Sequence, residues 1–344
     1  MVKRKIIEEE YEPDEPPVLI SKKKKKIMKF EELPEIKSLD DLISVAETSK
    51  WYRNINNLML WDILPFLKEL QSMIGMISVK QSIFHQILYY IQGLHERNLD
   101  GDYLHTIITG KPGSGKTTVA KIIGKIYQYI GVLPGGSNKF KISSREDFVG
   151  EYLGSTAVKT KKLLNSCIGG CLFVDELYSL GPGQKDKDSY SKEAIDTINL
   201  FLSEHKNDFV FIGAGYKEDI DKCFFSVNQG LKRRFQWIHN IDDYNTEDLS
   251  LIFLKMIKDI NWNINLQIEE IRKLFNENKE LLKDGGGTIE NLLSKIKLCH
   301  SIRVFGKEEE FKFIITKEDI IEGFLMLKKY DTKKERNITL DYYI

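Results

Sequence analysis

Residues Gly110-Lys111-Pro112-Gly113-Ser114-Gly115-Lys116-Thr117 spell a complete G-x-x-x-x-G-K-[ST] loop. A strand-like run, Tyr103 to Thr109, leads in. A helical stripe leads out, with Val119, Ile122, Ile123, Ile126 and Ile130 on one side. Strand, loop and helix in this register make a phosphate-binding loop. The glycines let backbone N–H groups turn inward around a phosphate chain. The helix N-terminus adds its partial positive charge. The expected nucleotide contacts are Gly110, Lys111, Pro112, Gly113, Ser114, Gly115, Lys116, Thr117 and Thr118. Lys116 is expected to reach the β- and γ-phosphates of ATP, and Thr117 to hold Mg²⁺.

A site that hydrolyses a nucleotide also needs a carboxylate for the metal and a base for water. Cys171-Leu172-Phe173-Val174-Asp175-Glu176 is an apolar run ending in two acids. Such a run reads as a buried strand. Asp175 at its end is placed for Mg²⁺. Glu176 is placed to polarise the attacking water, which argues for an ATPase over a kinase.

The chain has 344 residues, room for one good core and a second small domain. Its 51 basic and 51 acidic side chains cancel, so it is no general nucleic-acid binder. No apolar run is long enough to span a membrane and no signal peptide is visible. Cys167, Cys171, Cys223 and Cys299 form no C-x-x-C pair and no metal spacing with the histidines. The reading is a reduced intracellular protein, cytoplasmic, with no membrane partner. The Lys22–Lys26 run leaves nuclear targeting as an alternative.

Residues 1–30 carry an acidic, Pro-rich block and then the basic block, and read as a disordered tail. Residues 31–70 read as a helical extension, in which Ser38 caps a helix with Asp40 and Asp41 in its first turn. Residues 77–97 form an amphipathic helix with Val79, Ile83, Ile87, Ile91 and Leu94 inward. Strands are expected at 103–109, 139–143, 170–175, 208–214 and 235–241, alternating with helices. That alternation predicts a mostly parallel α/β sheet with helices on both faces, spanning residues 71–243. From 244 to 344 strand signals fade into a small helical lid. Its helices are expected to start at Asn245 and to cover 266–282, 289–302 and 317–329, with Thr288 as a cap after the Gly285–Gly287 break.

The order of these pieces resembles the AAA+ ATPases, closest to the branch of the rubisco-activase-like CbbX proteins and the sporulation protein SpoVK. The resemblance covers about residues 70 to 330. Met73-Ile74-Gly75-Met76 with Val79-Lys80 is similar to the segment over the adenine. The other marks are Val149 to Thr156, Phe173 to Leu180, Gly213-Ala214-Gly215-Tyr216-Lys217, and Gly230 to Phe235. The extension and the lysine- and isoleucine-rich style are also similar to AAA+ proteins of large DNA viruses. The resemblance implies a homo-oligomeric ring, commonly a hexamer, with ATP between subunits. Arg234 would act as the arginine finger on the neighbour's γ-phosphate, with Arg233 as backup. Tyr152 would be the aromatic of a central-pore loop that grips a polypeptide.

Two departures stand out. No polar γ-phosphate sensor is visible in Ile212-Gly213-Ala214-Gly215-Tyr216. The lid arginine expected near the Gly-rich break is missing, leaving Arg303 as a remote candidate and Gly287 as a residue to pack on the nucleotide. The leading function is an ATP-driven remodeller of a protein substrate. The alternatives are a motor or loader on nucleic acid, which would want basic residues beside Tyr152 where Glu151 stands, and a non-motor nucleotide switch.

Overall fold

The computed structural model describes residues 30–341 except 49, 98–101, 134–138, 153 and 183–187. The amino-terminal charge blocks, the Lys22–Lys26 run and the Tyr342-Tyr343 tail lie outside the described residues.

Five parallel strands form the central sheet: β1 (Thr106–Thr109), β2 (Phe140–Ser143), β3 (Cys171–Val174), β4 (Val210–Gly215) and β5 (Trp237–Asn240). Their spatial order is β2-β3-β4-β1-β5. In register, Thr109 lies beside Gly215 and Asn240, and Val174 beside Gly213. The residues that follow β1, β3 and β4 therefore leave the sheet at one edge, the crevice where open parallel sheets bind ligands. Every residue of β1, β3 and β4 is buried, which explains the absence of charged residues in all three. β1 is shorter than its apolar run because His105 intervenes. Its Nδ1 accepts the Phe211 N–H at 3.2 Å, so this part of β4 pairs with a side chain.

The helices are α1 (Leu39–Glu47), α2 (Asn57–Gln71), α3 (Ile77–Ile91), α4 (Lys116–Tyr129), α5 (Arg145–Phe148), α6 (Ser155–Asn165), α7 (Ser189–Glu204), α8 (Lys217–Asp219), α9 (Thr246–Asp259), α10 (Ile268–Glu277), α11 (Gly286–Val304) and α12 (Lys317–Asp341). Ser38 caps α1 through a reciprocal box with Asp41, as its sequence signals. The 38–70 stretch is broken into two helices. Trp51–Tyr52 pairs in parallel with Phe30–Glu31 between them. The buried Asn57 side chain holds this break, accepting from Tyr52 N and donating to Tyr52 O, both at 3.0 Å. Likewise α3 stops at Ile91, and Leu94 lies in a 3₁₀ turn, 48% exposed rather than inward.

Strand alternation feeds two cores. Phe173, Val210 and Ile212 point to one face, where α1 to α4 pack. Leu172, Val174 and Phe211 point to the other, under α6 and α7. The amino-terminal helices thus share a core with the phosphate-loop helix α4. All five of its stripe residues are buried. Removing a fully buried ring such as Phe173 would cost about 3–5 kcal/mol.

The lid has its own core, from Leu249 and Phe253 through Ile296 to Phe324. Asn245 caps α9 with Asp248. A short parallel pair, Asn263–Ile264 with Ile314–Ile315, accompanies the lid helices. α11 begins at Gly286, so Thr288 is inside its first turn and is not the cap. The reason is steric. Gly285 takes a left-handed φ of 63°, and the helix starts at the two glycines that press on the phosphate loop. α12 runs well past the expected end at 329. Among the described residues no helix is long and apolar enough to cross a membrane, and no cluster of metal-ligating side chains occurs.

Candidate nucleotide site

The phosphate loop joins β1 to α4. Gly113 and Gly115 have φ of 64° and 88°, conformations that side-chain-bearing residues rarely take. Contact with backbone also forbids a side chain at Gly113, and Met76 crowds Gly115. A Cβ on Gly113 would lie 2.3 Å from Gly287 N, and one on Gly115 would lie 2.9 Å from Met76 Cε. The lid and the Met73–Met76 segment therefore clasp the loop from outside. Tyr244 adds a hydroxyl hydrogen bond to Ser114 O at 2.9 Å. Lys111 pairs with Asp243 at 2.6 Å, an exposed contact worth little in stability.

Lys116 Nζ donates to Gly110 O at 3.0 Å and Lys111 O at 2.7 Å, and sits 5.6 Å over the Tyr216 ring. Burial lowers its pKa, and the charges of Asp175 and Glu176 oppose that shift. Thr117 Oγ1 donates to Asp175 Oδ2 at 3.1 Å. The other oxygen, Asp175 Oδ1, accepts the Glu176 N–H at 3.0 Å. The two contacts fix the carboxylate at the end of β3. Glu176 itself has φ of 48°, which starts the 3₁₀ turn Leu177–Leu180. Together Lys116, Thr117, Asp175, Glu176, Tyr178 and Tyr216 line a cleft of about 770 Å³.

Beside it, Met73, Ile74, Met76, Tyr244, Ile252 and Met256 line an apolar pocket of about 330 Å³. Met76 is held in a left-handed conformation at φ 56°. Lys80 pins the segment, donating to Gln71 O at 3.0 Å and Met73 O at 2.6 Å.

These residues fit a nucleoside triphosphate with Mg²⁺. The loop glycines leave the backbone free to cradle phosphates. The Ser114 hydroxyl is buried without a partner, a donor set into the same loop. Thr117 and Asp175 offer adjacent hard oxygen ligands, the donor type Mg²⁺ takes.

The structure places the remaining expected residues elsewhere. Arg234 is part-buried at the end of a 3₁₀ turn; its Nε donates to Ser203 Oγ at 2.8 Å and its Nη1 to Gly230 O at 2.5 Å. Arg233 is exposed. Tyr152 is 74% exposed and only its backbone is held, through Ser155. Leu153 lies outside the described residues. Lys159 donates to the Glu146 and Val149 carbonyls at 2.7 and 2.9 Å.

Arg303 is engaged inside the lid. It donates to both Asp319 oxygens at 2.8 Å, and the same carboxylate accepts from His300 Nδ1 at 3.1 Å, a network internal to the lid. Gly287 packs on Gly113 of the phosphate loop. Sequence reasoning passed over three tyrosines at the site, Tyr178, Tyr216 and Tyr244.

Comparison with known proteins agrees with this geometry. The family described as "ATPase family associated with various cellular activities (AAA)" matches residues 106–241. A cfxQ-like protein of Acanthamoeba polyphaga mimivirus is 38% identical over 296 residues, covering 83% of this chain and 71% of that protein. Stage V sporulation protein K of Bacillus subtilis (strain 168) is 37% identical over 207 residues, 59% of this chain and 62% of its own length. The chloroplastic ribulose bisphosphate carboxylase/oxygenase activase of Cyanidioschyzon merolae is 34% identical over 206 residues, 59% of this chain and 66% of that one. The chain belongs to the AAA ATPase family, on the branch of the CfxQ/CbbX-like and SpoVK-like proteins.

Proposed function

We propose that this protein binds ATP with Mg²⁺, hydrolyses ATP to ADP and phosphate, and works as a homo-oligomeric ring that remodels a protein substrate. The observation that carries the reading is the Thr117–Asp175–Glu176 arrangement at the mouth of the phosphate loop. Loop N–H groups and Lys116 orient the phosphates. Thr117 and Asp175 would hold the metal, which would supply positive charge to offset the charge of the phosphates. Glu176 takes the proton of the attacking water. Arg234 reaches the neighbouring subunit's γ-phosphate, where a planar guanidinium suits the charge that spreads over the transferred group. Ser203 Oγ and Gly230 O hold the guanidinium on its own side, and Arg233, exposed at the surface, is the second candidate.

Tyr152 supports a polypeptide as the substrate. Its exposed ring offers sequence-tolerant contact area. The lysine nearest in the following helix, Lys159, is engaged with backbone carbonyls. One relative is named as the activase of a carboxylase, itself a protein. The test is ATPase stimulation over a range of protein concentrations. The expected result is hydrolysis per subunit that rises with concentration and is stimulated by an unfolded polypeptide. Stimulation by single-stranded DNA alone would replace the protein substrate with nucleic acid. Concentration-independent turnover in a monomer would remove the ring and its finger.

A further inference from the structure

Arg145 is the first residue of α5, and α5 runs into the loop that carries Tyr152. Its guanidinium is spent inside the protein. Nη1 donates to Ser179 O at 2.5 Å and to Ser191 Oγ at 2.9 Å, and Nη2 donates to Asp188 Oδ2. One planar fork therefore joins three elements: α5, the 3₁₀ turn that begins after Glu176, and the start of α7, which Asp188 caps. Ser191 is fully buried, and its hydroxyl donates to Asp188 Oδ2 at 2.6 Å, which fixes the carboxylate that Arg145 meets.

α7 holds the far side of the loop as well. The cap of α6 is Gly154, which has no side chain to satisfy the first helical N–H groups. Glu193 of α7 supplies the acceptor: its Oε1 takes the Ala157 N–H at 3.1 Å, a carboxylate at a helix N-terminus. Between these two anchors the base of the loop is closed. Gly150 N donates to Thr156 Oγ1 at 3.0 Å, and Thr160 Oγ1 donates to Phe148 O at 3.0 Å. A Cβ on Gly150 would lie 2.0 Å from Ser155 Oγ, so the two sides of the loop touch. Phe148, Leu164, Leu177, Leu180 and Ile195 share one core beneath these ties.

We infer that Arg145 is the positioning residue that sets the Tyr152 loop from the state of the nucleotide cleft. On the proposed function, gain and loss of the γ-phosphate act at Glu176, where the 3₁₀ turn begins. A shift of that turn reaches the guanidinium through Ser179 O. The guanidinium passes it to α5 and to the start of α7, and Glu193 carries it to α6, so both sides of the loop follow. Tyr152 is free only at its tip. The inference rests on the reading of Tyr152 as the residue that grips a polypeptide, and it requires a turn with two positions, which the test reads directly.

The test is hydrogen exchange of the backbone from Val149 to Thr156, read by mass spectrometry with ADP and with the non-hydrolysable ATP analogue AMP-PNP. The parent protein is expected to exchange differently in the two states. Arg145→Ala should erase that difference with nucleotide affinity unchanged. Glu193→Ala, which breaks the second link and leaves Arg145 in place, should erase it too. Arg145→Lys keeps the charge, loses the fork and should recover only part. A merely structural role would raise exchange equally with both nucleotides and keep the difference. That result, or a parent with no difference, would overturn the inference. The reading beneath it fails separately. Parent ATPase that no polypeptide stimulates would remove the gripping role of Tyr152, whereas polypeptide stimulation that persists in Arg145→Ala would sink only the role of Arg145.

Discussion

Lys116 and Tyr152 are equally conspicuous in the sequence, yet the molecule treats them differently. Lys116 is half-buried, hydrogen-bonded to two carbonyls and set over an aromatic ring. Tyr152 projects into solvent with its side chain unheld. The contrast separates chemistry from work. A site that handles phosphate must be preorganised before the ligand arrives. On the proposed function, a loop that grips a changing polypeptide would need freedom within one subunit and would acquire its setting from neighbours in a ring. Substitutions in the cleft should therefore act on the isolated subunit, and substitutions at Tyr152 only on the coupled process.

The strongest way to sharpen the contrast is Gly113→Ala. It forces an alanine into left-handed backbone and a methyl into the lid contact 2.3 Å away. Those penalties together should weaken ATP binding about 100-fold or more, measured by calorimetric titration. Arg234→Ala comes next. ATP binding should persist while steady-state hydrolysis falls about 1,000-fold, the scale of an arginine finger. Mixing it with a Glu176→Gln protein should restore part of the activity, because each subunit then supplies what the other lacks. Activity untouched by Arg234→Ala and lost in Arg233→Ala would move the finger by one residue. Tyr152→Ala should leave basal ATPase within about twofold of the parent and abolish substrate remodelling. Intact remodelling in that protein would break the comparison.

The smallest effect is on stability and tests neither site. His105 and His239 are buried and neutral, with pKa lowered to about 3 and about 4, in both cases by burial. In the unfolded chain a histidine titrates near ~6.5. Below that pH the unfolded state binds protons that the folded state refuses, so stability falls as pH drops from ~6.5 toward 4. The melting temperature should be lower at pH 5 than at pH 7.5. His239→Gln, which can keep bonds to Ser82 and Gln86, should reduce that difference.

The nucleotide loop, the acid pair and the parallel sheet were all legible in the sequence, because each is a local pattern. Glycines at fixed spacing, an apolar strand ending in two acids and a helical stripe need no long-range information. The errors came where distant contacts decide. Thr288 looked like a helix cap, but α11 starts at Gly286 because two glycines must press on Gly113, more than 170 positions earlier. Arg303, a remote sensor candidate by sequence, is held by Asp319 of α12, which no local pattern signals. Asn57 breaks a stretch that reads as continuous helix, through bonds to the backbone of Tyr52. Tyr178 and Tyr216 were visible as letters, but their stacking beneath Lys116 and beside Glu176 is a product of the fold.

The central claim is that Glu176 activates water in a cleft already organised to hold ATP. The most direct measurement is single-turnover hydrolysis by Glu176→Gln with enzyme in excess and ATP binding measured on the same sample. The account predicts unchanged ATP affinity with the chemical step slowed about 100- to 10,000-fold. Hydrolysis at the parent rate with ATP fully bound would contradict it.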